Sequence, residues 1–185
     1  MIAQLSSLIP TPLHPAVVHL PIALAVLVPL FAIGALIAIA RGAKPLASWG
    51  ITTALVAALA MSSYVALETG EDQEEKVEAV VPEAAFESHE ESAEQFFQLS
   101  LIVLGISALG FLPRAAGTGA RIVATAGTLA LIVAGYQVGH SGGEMVYKYG
   151  AASAYVDPTM ANTAMTVERA IGDTVPPAAR TDDDH

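Results

Sequence analysis

Residues 17–40 read VVHLPIALAVLVPLFAIGALIAIA, with no acidic, lysine or arginine side chain among them. A helix needs roughly 20 apolar residues to cross the hydrocarbon core of a bilayer. This stretch is long enough to span. Arg41 and Lys44 follow it at once, and three further apolar runs repeat the pattern: 46–67, ending at Glu68; 96–112, stopped by Pro113 and Arg114; and 122–138. The last two are short, so they are expected to continue as helix beyond the bilayer or to sit where it is thinner. Composition agrees. The 185 residues are 54% hydrophobic and 14% charged, with mean hydropathy +0.55, which is too apolar for an ordinary soluble domain. The expected fold is all-α: an integral membrane four-helix bundle over residues 1–150, then a polar extramembrane tail over 151–185. Met1 to Pro15 has no basic n-region, carrying neither Lys nor Arg, so the first run reads as an anchor rather than a cleavable signal.

Orientation follows from charge, because short loops rich in Lys and Arg are held in the cytoplasm while acids contribute little. The loop between spans one and two carries Arg41 and Lys44, and that between three and four carries Arg114 and Arg121; neither holds an acid. Both are placed inside. The two termini, the acidic loop 68–95 and the tail then lie on the periplasmic side of a bacterial inner membrane. All 18 acids fall there against Lys76, Lys148, Arg169 and Arg180, giving the outer face a charge near −14 and the inner one near +4 within the net −10. No cluster of Lys and Arg exists to neutralise phosphates, which argues against a nucleic-acid partner. Trp49 is expected as an interface anchor near the inner edge.

The acidic loop ends at Pro82, a residue favoured at a first helical position. From Glu83 onward Ala85, Phe86, His89, Ala93, Phe96 and Phe97 recur at spacings of three and four, with glutamates filling the other faces. This predicts an amphipathic outer extension of the third helix, continuous from about Glu83 to Leu112.

The chain has no cysteine, which removes disulfides, thiolate sites, iron–sulfur clusters and covalently attached c-type haem. Histidine, carboxylates and tyrosine remain as cofactor ligands. Leaving aside His185, topology places every histidine at the outer end of a span: His14 and His19 at the first, His89 at the third, His140 at the fourth. Tyr64 and Glu68 close the second, and Glu144 follows His140. Helix bundles build cofactor sites where facing helices bring such groups to one depth. His14 and His19, five apart, point about 140° apart on a regular helix, so they need not share a ligand. Pro21 leaves the Val17 carbonyl without its intrahelical donor, and a kink there is expected to aim His19 inward. Gly139, Gly142 and Gly143 beside His140 permit close approach by a helix or a flat ring.

Each feature also has a bland reading. A lone interfacial histidine is more often a hydrogen-bonding anchor, the glutamates 71–78 a solvated loop, the glycines helix packing. Gly139 to Gly143 lacks the Lys-Ser or Lys-Thr of a phosphate loop, and neither a Gly-x-Ser-x-Gly elbow nor His-Glu-x-x-His occurs. Hydrolase chemistry has no support.

The stretch His14 to Pro21, His-Pro-x-x-Val-His-x-Pro, and the stretch Gly142 to Gly150, Gly-Gly-x-x-Val-Tyr-x-x-Gly, resemble the opening and closing motifs of a bacterial family of four-helix integral membrane proteins catalogued as a domain of unknown function. His89-Glu90 and His140 resemble its other histidine positions. The resemblance covers about residues 13 to 150. Tyr149 stands where relatives often carry histidine, and fusions of relatives to c-type cytochrome domains imply a redox setting.

Two functions are expected to compete. In the first, two of His14, His19, His89 and His140 are axial ligands of b-type haem, or these histidines with Glu68, Glu90 or Glu144 hold a transition metal ion, for electron transfer in a larger membrane complex. In the second, the chain is a cofactor-free accessory subunit bracing its partners through the spans and tail. Either is more a redox or accessory subunit than an enzyme. A transporter is third, since the spans offer almost no intramembrane charge. The topology is tested with single introduced cysteines: in intact cells a membrane-impermeant maleimide should label Asp72→Cys and leave Ala43→Cys unlabelled, and the reverse result would invert the chain.

Overall fold

The computed structural model describes residues 11–156 together with Thr163, Thr166 and Val167. The chain forms α1 (His14–Val17), α2 (His19–Ala40), α3 (Pro45–Glu71), α4 (Glu74–Glu78), α5 (Glu83–Leu109) and α6 (Arg114–Tyr147), then a 3-10 turn (Ala151–Tyr155). Four stretches are long and apolar enough to cross a membrane: α1 with α2, α3, α5 and α6. Chain contacts divide it into Met1–Ala151 and Ala152–His185. The ten N-terminal residues and nearly all of the acidic tail, His185 included, lie outside the described residues.

Prolines mark the helix starts. Pro45 sits in the first turn of α3, while Pro82 and Pro113 stand just before α5 and α6, where a missing N–H costs nothing. Pro82 therefore lies one residue ahead of the helix it was expected to open. Gly42 ends α2 with φ +96: its N–H donates to the Ile39 carbonyl at 2.9 Å and that of Ala43 to the Ala38 carbonyl at 3.0 Å. This crossed pair closes a helix around a left-handed glycine.

The helices overrun the apolar runs. α3 continues through Glu68 to Glu71 and α6 begins at Arg114, so much of the expected loop sequence is helical. Backbone bonding continues past the apolar layer until a proline or turn stops it. The 34 residues of α6 extend about 51 Å at 1.5 Å each, well beyond a hydrocarbon core of about 30 Å.

α2 packs on α3, α3 on α5, α5 on α6 and α6 on α2, closing a ring of four. Its centre is filled by Val28, Val56, Leu59, Val103 and Leu131, each almost fully buried. Along α2 the inward residues include Ala25, Ala32 and Ala35, while Leu20, Ile22, Leu30 and Phe31 face outward. Small residues inside and large ones outside suit a lipid solvent, where close van der Waals packing rather than water exclusion holds helices together.

Hydroxyls inside the bundle mostly donate back along their own helix: Ser63 to the Leu59 carbonyl at 2.8 Å, Ser100 to Phe97 at 2.6 Å, Thr125 to Arg121 at 2.8 Å and Thr128 to Thr125 at 2.7 Å. Each thereby enters an apolar interior already satisfied. Thr52 Oγ1 is the one buried side-chain polar atom among the described residues without a partner.

Two residues at the α2–α3 end of the bundle differ from expectation. Trp49 is no interface anchor: it is fully buried and its Nε1 donates to the Ser107 carbonyl on α5 at 2.9 Å. Arg121 is no loop charge: it is buried in α6, with Nη1 donating to the Gly110 carbonyl at 2.6 Å and Nη2 to Thr118 Oγ1 at 3.1 Å. The guanidinium thus meets the electronegative C-terminus of α5. Arg121→Met should lower stability by about 1.5–3 kcal/mol, the scale of a charged hydrogen bond, whereas Thr52→Val, removing an unpaired buried hydroxyl, should be neutral or stabilising. Unfolding of both variants in detergent checks the opposite signs.

Candidate functional site

At the other end of the bundle the start of α1, the end of α3, the first turns of α5 and the last turns of α6 come together. α1 runs on into α2 through Val18, whose backbone is helical (φ −60, ψ −21) and whose N–H donates to the His14 carbonyl at 3.1 Å. His14 is half-buried while His19, five residues on and about 140° round the helix, is exposed, so the expected inward aim of His19 is not what the chain adopts. Two residues of a single motif thus face opposite environments.

His14 Nδ1 lies 2.9 Å from the Ala66 carbonyl of α3, with Thr69 Oγ1 at 3.4 Å. A carbonyl only accepts, so Nδ1 carries the proton. His89 Nδ1 lies 2.9 Å from Ser141 Oγ of α6, and that hydroxyl donates to the Val138 carbonyl at 3.1 Å. The Ser141 hydroxyl thus stands between the His89 ring and the Val138 carbonyl. Both imidazoles are therefore held by the bundle through Nδ1, and in the neutral form of His14 Nε2 keeps the lone pair. The two ring centres stand 6.4 Å apart with planes at 89°.

Two glycines make room for the rings. A Cβ on Gly70 would lie 3.3 Å from His14 Cε1, and one on Gly142 would lie 3.0 Å from His89 Cε1. No side chain fits there without moving an imidazole.

The remaining expected ligands are placed elsewhere. His140 is exposed on α6 and stacks on Tyr136, ring centres 5.9 Å apart and planes at 13°. Glu68 is exposed. Glu90 sits in the field of Glu71, Glu74, Glu78 and Glu94. Glu144 bonds Lys148 Nζ at 3.3 Å; Lys148 also approaches the Tyr149 ring at 5.0 Å, and hydrogen bonds to Tyr149 and Glu144 raise its pKa. Among the described residues no group of three or more His, Asp or Glu is arranged to hold a metal ion. Of the four histidines, the fold pairs His14 with His89.

Ser141, Gly142, Gly70 and the Ala66 carbonyl were not singled out as partners of these rings. A signal existed for α6: the buried face Ala124, Thr128, Leu131 continues at helical spacing through Gly135 and Val138 to Gly142. Beside the pair a cavity of about 240 Å³ opens between α5 and α6, lined by Ala84, Ala85, Ser88, Ser141, Glu144 and Tyr149 among others.

A family model described as "Predicted membrane protein (DUF2231)" matches residues 10–154. The chain belongs to the DUF2231 family. The match takes in all four spans, both paired histidines and the cavity of this DUF2231 protein. No curated protein and no solved structure matches the chain. In this DUF2231 member Gly142→Leu should displace the His89 ring and abolish its Nδ1 hydrogen bond, while Gly139→Leu, facing open space, should not. Histidine ¹⁵N spectra of the two variants distinguish these outcomes.

Proposed function

We propose that His14 and His89 form a two-histidine site for b-type haem on the periplasmic side of a bacterial inner membrane, serving electron transfer within a larger complex. The observation that supports this most directly is the matched anchoring of the two rings through Nδ1. A metal-ligating histidine characteristically donates its other ring N–H to a carbonyl or similar acceptor, fixing orientation and tautomer. His14 meets that description at the Ala66 carbonyl, and His89 Nδ1 stands at the same 2.9 Å from the Ser141 hydroxyl.

The spacing is compatible. The two ring centres stand 6.4 Å apart, near enough that one bound group could meet both imidazoles. The donor set favours haem over a bare ion. A transition metal ion takes three or four protein ligands in most sites, more than this pair offers among the described residues; haem brings its own four nitrogens and asks only axial ligands of the protein. When bound, haem supplies one-electron chemistry. The chain's own contribution is to fix two imidazoles on different helices at one level and to exclude side chains at Gly70 and Gly142.

A second reading, an accessory subunit without cofactor, draws on a different observation. Gly139 and Gly143, four apart on α6, have open space above them, beside exposed Tyr136, His140 and Tyr147. Such small-residue faces admit a neighbouring helix closely.

Optical spectra of the detergent-purified protein, oxidised and reduced, separate the two. Haem ligated by this pair should give a Soret band and a sharpened α band on reduction, lost in His14→Ala and in His89→Ala but kept in His19→Ala and His140→Ala. A folded preparation with neither haem nor metal would overturn the haem site and favour the accessory reading.

A further inference from the structure

Some glycines of α6 are used inside the bundle: a Cβ on Gly135 would lie 3.3 Å from Phe96 Cε2, and one on Gly142 would lie 3.0 Å from His89 Cε1. These contacts also set the register of α6 against α5. Residues 139–147 run level with residues 84–92, where Glu87 and Glu91 are exposed, and ionised groups at that level place it outside the hydrocarbon. Gly139 and Gly143 lie there with nothing in the chain within 4 Å of a Cβ. Glycine weakens a helix relative to alanine, and neither the bundle nor the acyl chains give a reason for it here. Beside them Tyr147 is 91% exposed and Val146 44%, so apolar surface meets water. His140, Glu144, Tyr147 and Lys148 border a groove of about 430 Å³ with Gly139 and Gly143 between them.

We infer that this groove is a self-association face, occupied by the same groove of a second copy of this chain. Glycines alone would admit any helix; the charges select the occupant. Two copies inserted with one orientation in one membrane are related by a two-fold axis along its normal, so their α6 helices meet parallel and like residues face each other across the axis. Glycine is neutral and lets the backbones close there. Glu144 and Lys148, one turn apart and 3.3 Å from each other, flank the contact with opposite signs. Lys148 of each copy therefore reaches Glu144 of the other, and the pair is its own complement. A partner of single sign would leave one of the two opposed. The outer face is otherwise acidic and repels its own copy, and of the two lysines described there, Lys76 and Lys148, one stands at the groove. Removal of Tyr147 and Val146 from water supplies the attraction. The inference rests on the α6 face of the accessory reading but not on an empty histidine pair: a second copy docks there with or without haem.

The chain has no cysteine, so single introduced thiols report proximity in the full-length protein in its membrane. A disulfide needs Cα atoms within about 7 Å. Gly143→Cys should give a covalent dimer under mild oxidation, while Glu68→Cys, exposed on α3 across the ring from α6, should stay monomeric. Gly139→Leu fills the groove and should weaken dimerisation by about tenfold or more, read by energy transfer in lipid vesicles between chains dye-labelled at Glu68→Cys. An unmoved His89 ¹⁵N signal in the leucine variant shows that its bundle is intact. Glu144→Lys and Lys148→Glu should each dissociate the homodimer, and mixing the two should restore a dimer containing one of each. Uncrosslinked Gly143→Cys, whether the groove then holds a lipid or a different protein, overturns the self-association face. Equal crosslinking at Glu68→Cys overturns it too, as do mixed charge variants that associate no better than either alone. Optical spectra of the same samples test the haem reading independently.

Discussion

A polar group that enters the hydrocarbon layer has to bring its partner with it, because no water is there to supply one. The interior of this bundle is arranged around that requirement. Serine and threonine fold their hydroxyls onto the preceding turn, the indole of Trp49 donates across to α5, and the guanidinium of Arg121 is spent on a helix end. The histidine end follows the same rule with a different result. Nδ1 of each ring is spent on the bundle, and for His14 the carbonyl acceptor fixes the tautomer.

The architecture was legible because apolar length is a coarse signal. Four runs of suitable length give four helices, and the alternation of charge between loops gives their up-and-down order. The glutamates of 83–94, spaced around the apolar face that contains Phe86 and Phe96, gave the outer extension of α5 for the same reason. Boundaries were less accessible. Hydropathy ends where charge begins, but a helix ends where its hydrogen bonds do, and Arg114 and Glu71 are charged residues inside helices.

Side-chain direction was the harder quantity. Convergence of histidines at one end followed from topology, yet topology did not say which of His14 and His19, about 140° apart on one helix, would turn inward. Trp49 was misread from residue type, since tryptophan favours membrane interfaces, although its spacing with Thr52, Val56, Leu59 and Ser63 places it on the buried stripe of α3. Arg121 likewise shares the face of Ala124, Thr125 and Thr128. In both cases helical register held the answer and residue chemistry pointed away from it. Ser141 could not be found by type at all, because a serine beside glycines carries no chemistry until a partner from 52 positions earlier meets it.

The chain has a single tryptophan, and that ring is clamped in a dry setting near the turn joining α2 to α3. Its ultraviolet emission therefore comes from one place and one environment. Any loosening of α3 from α5 admits solvent to that fluorophore and shifts its colour, so the molecule contains its own gauge of helix separation, positioned at the far end from the imidazoles.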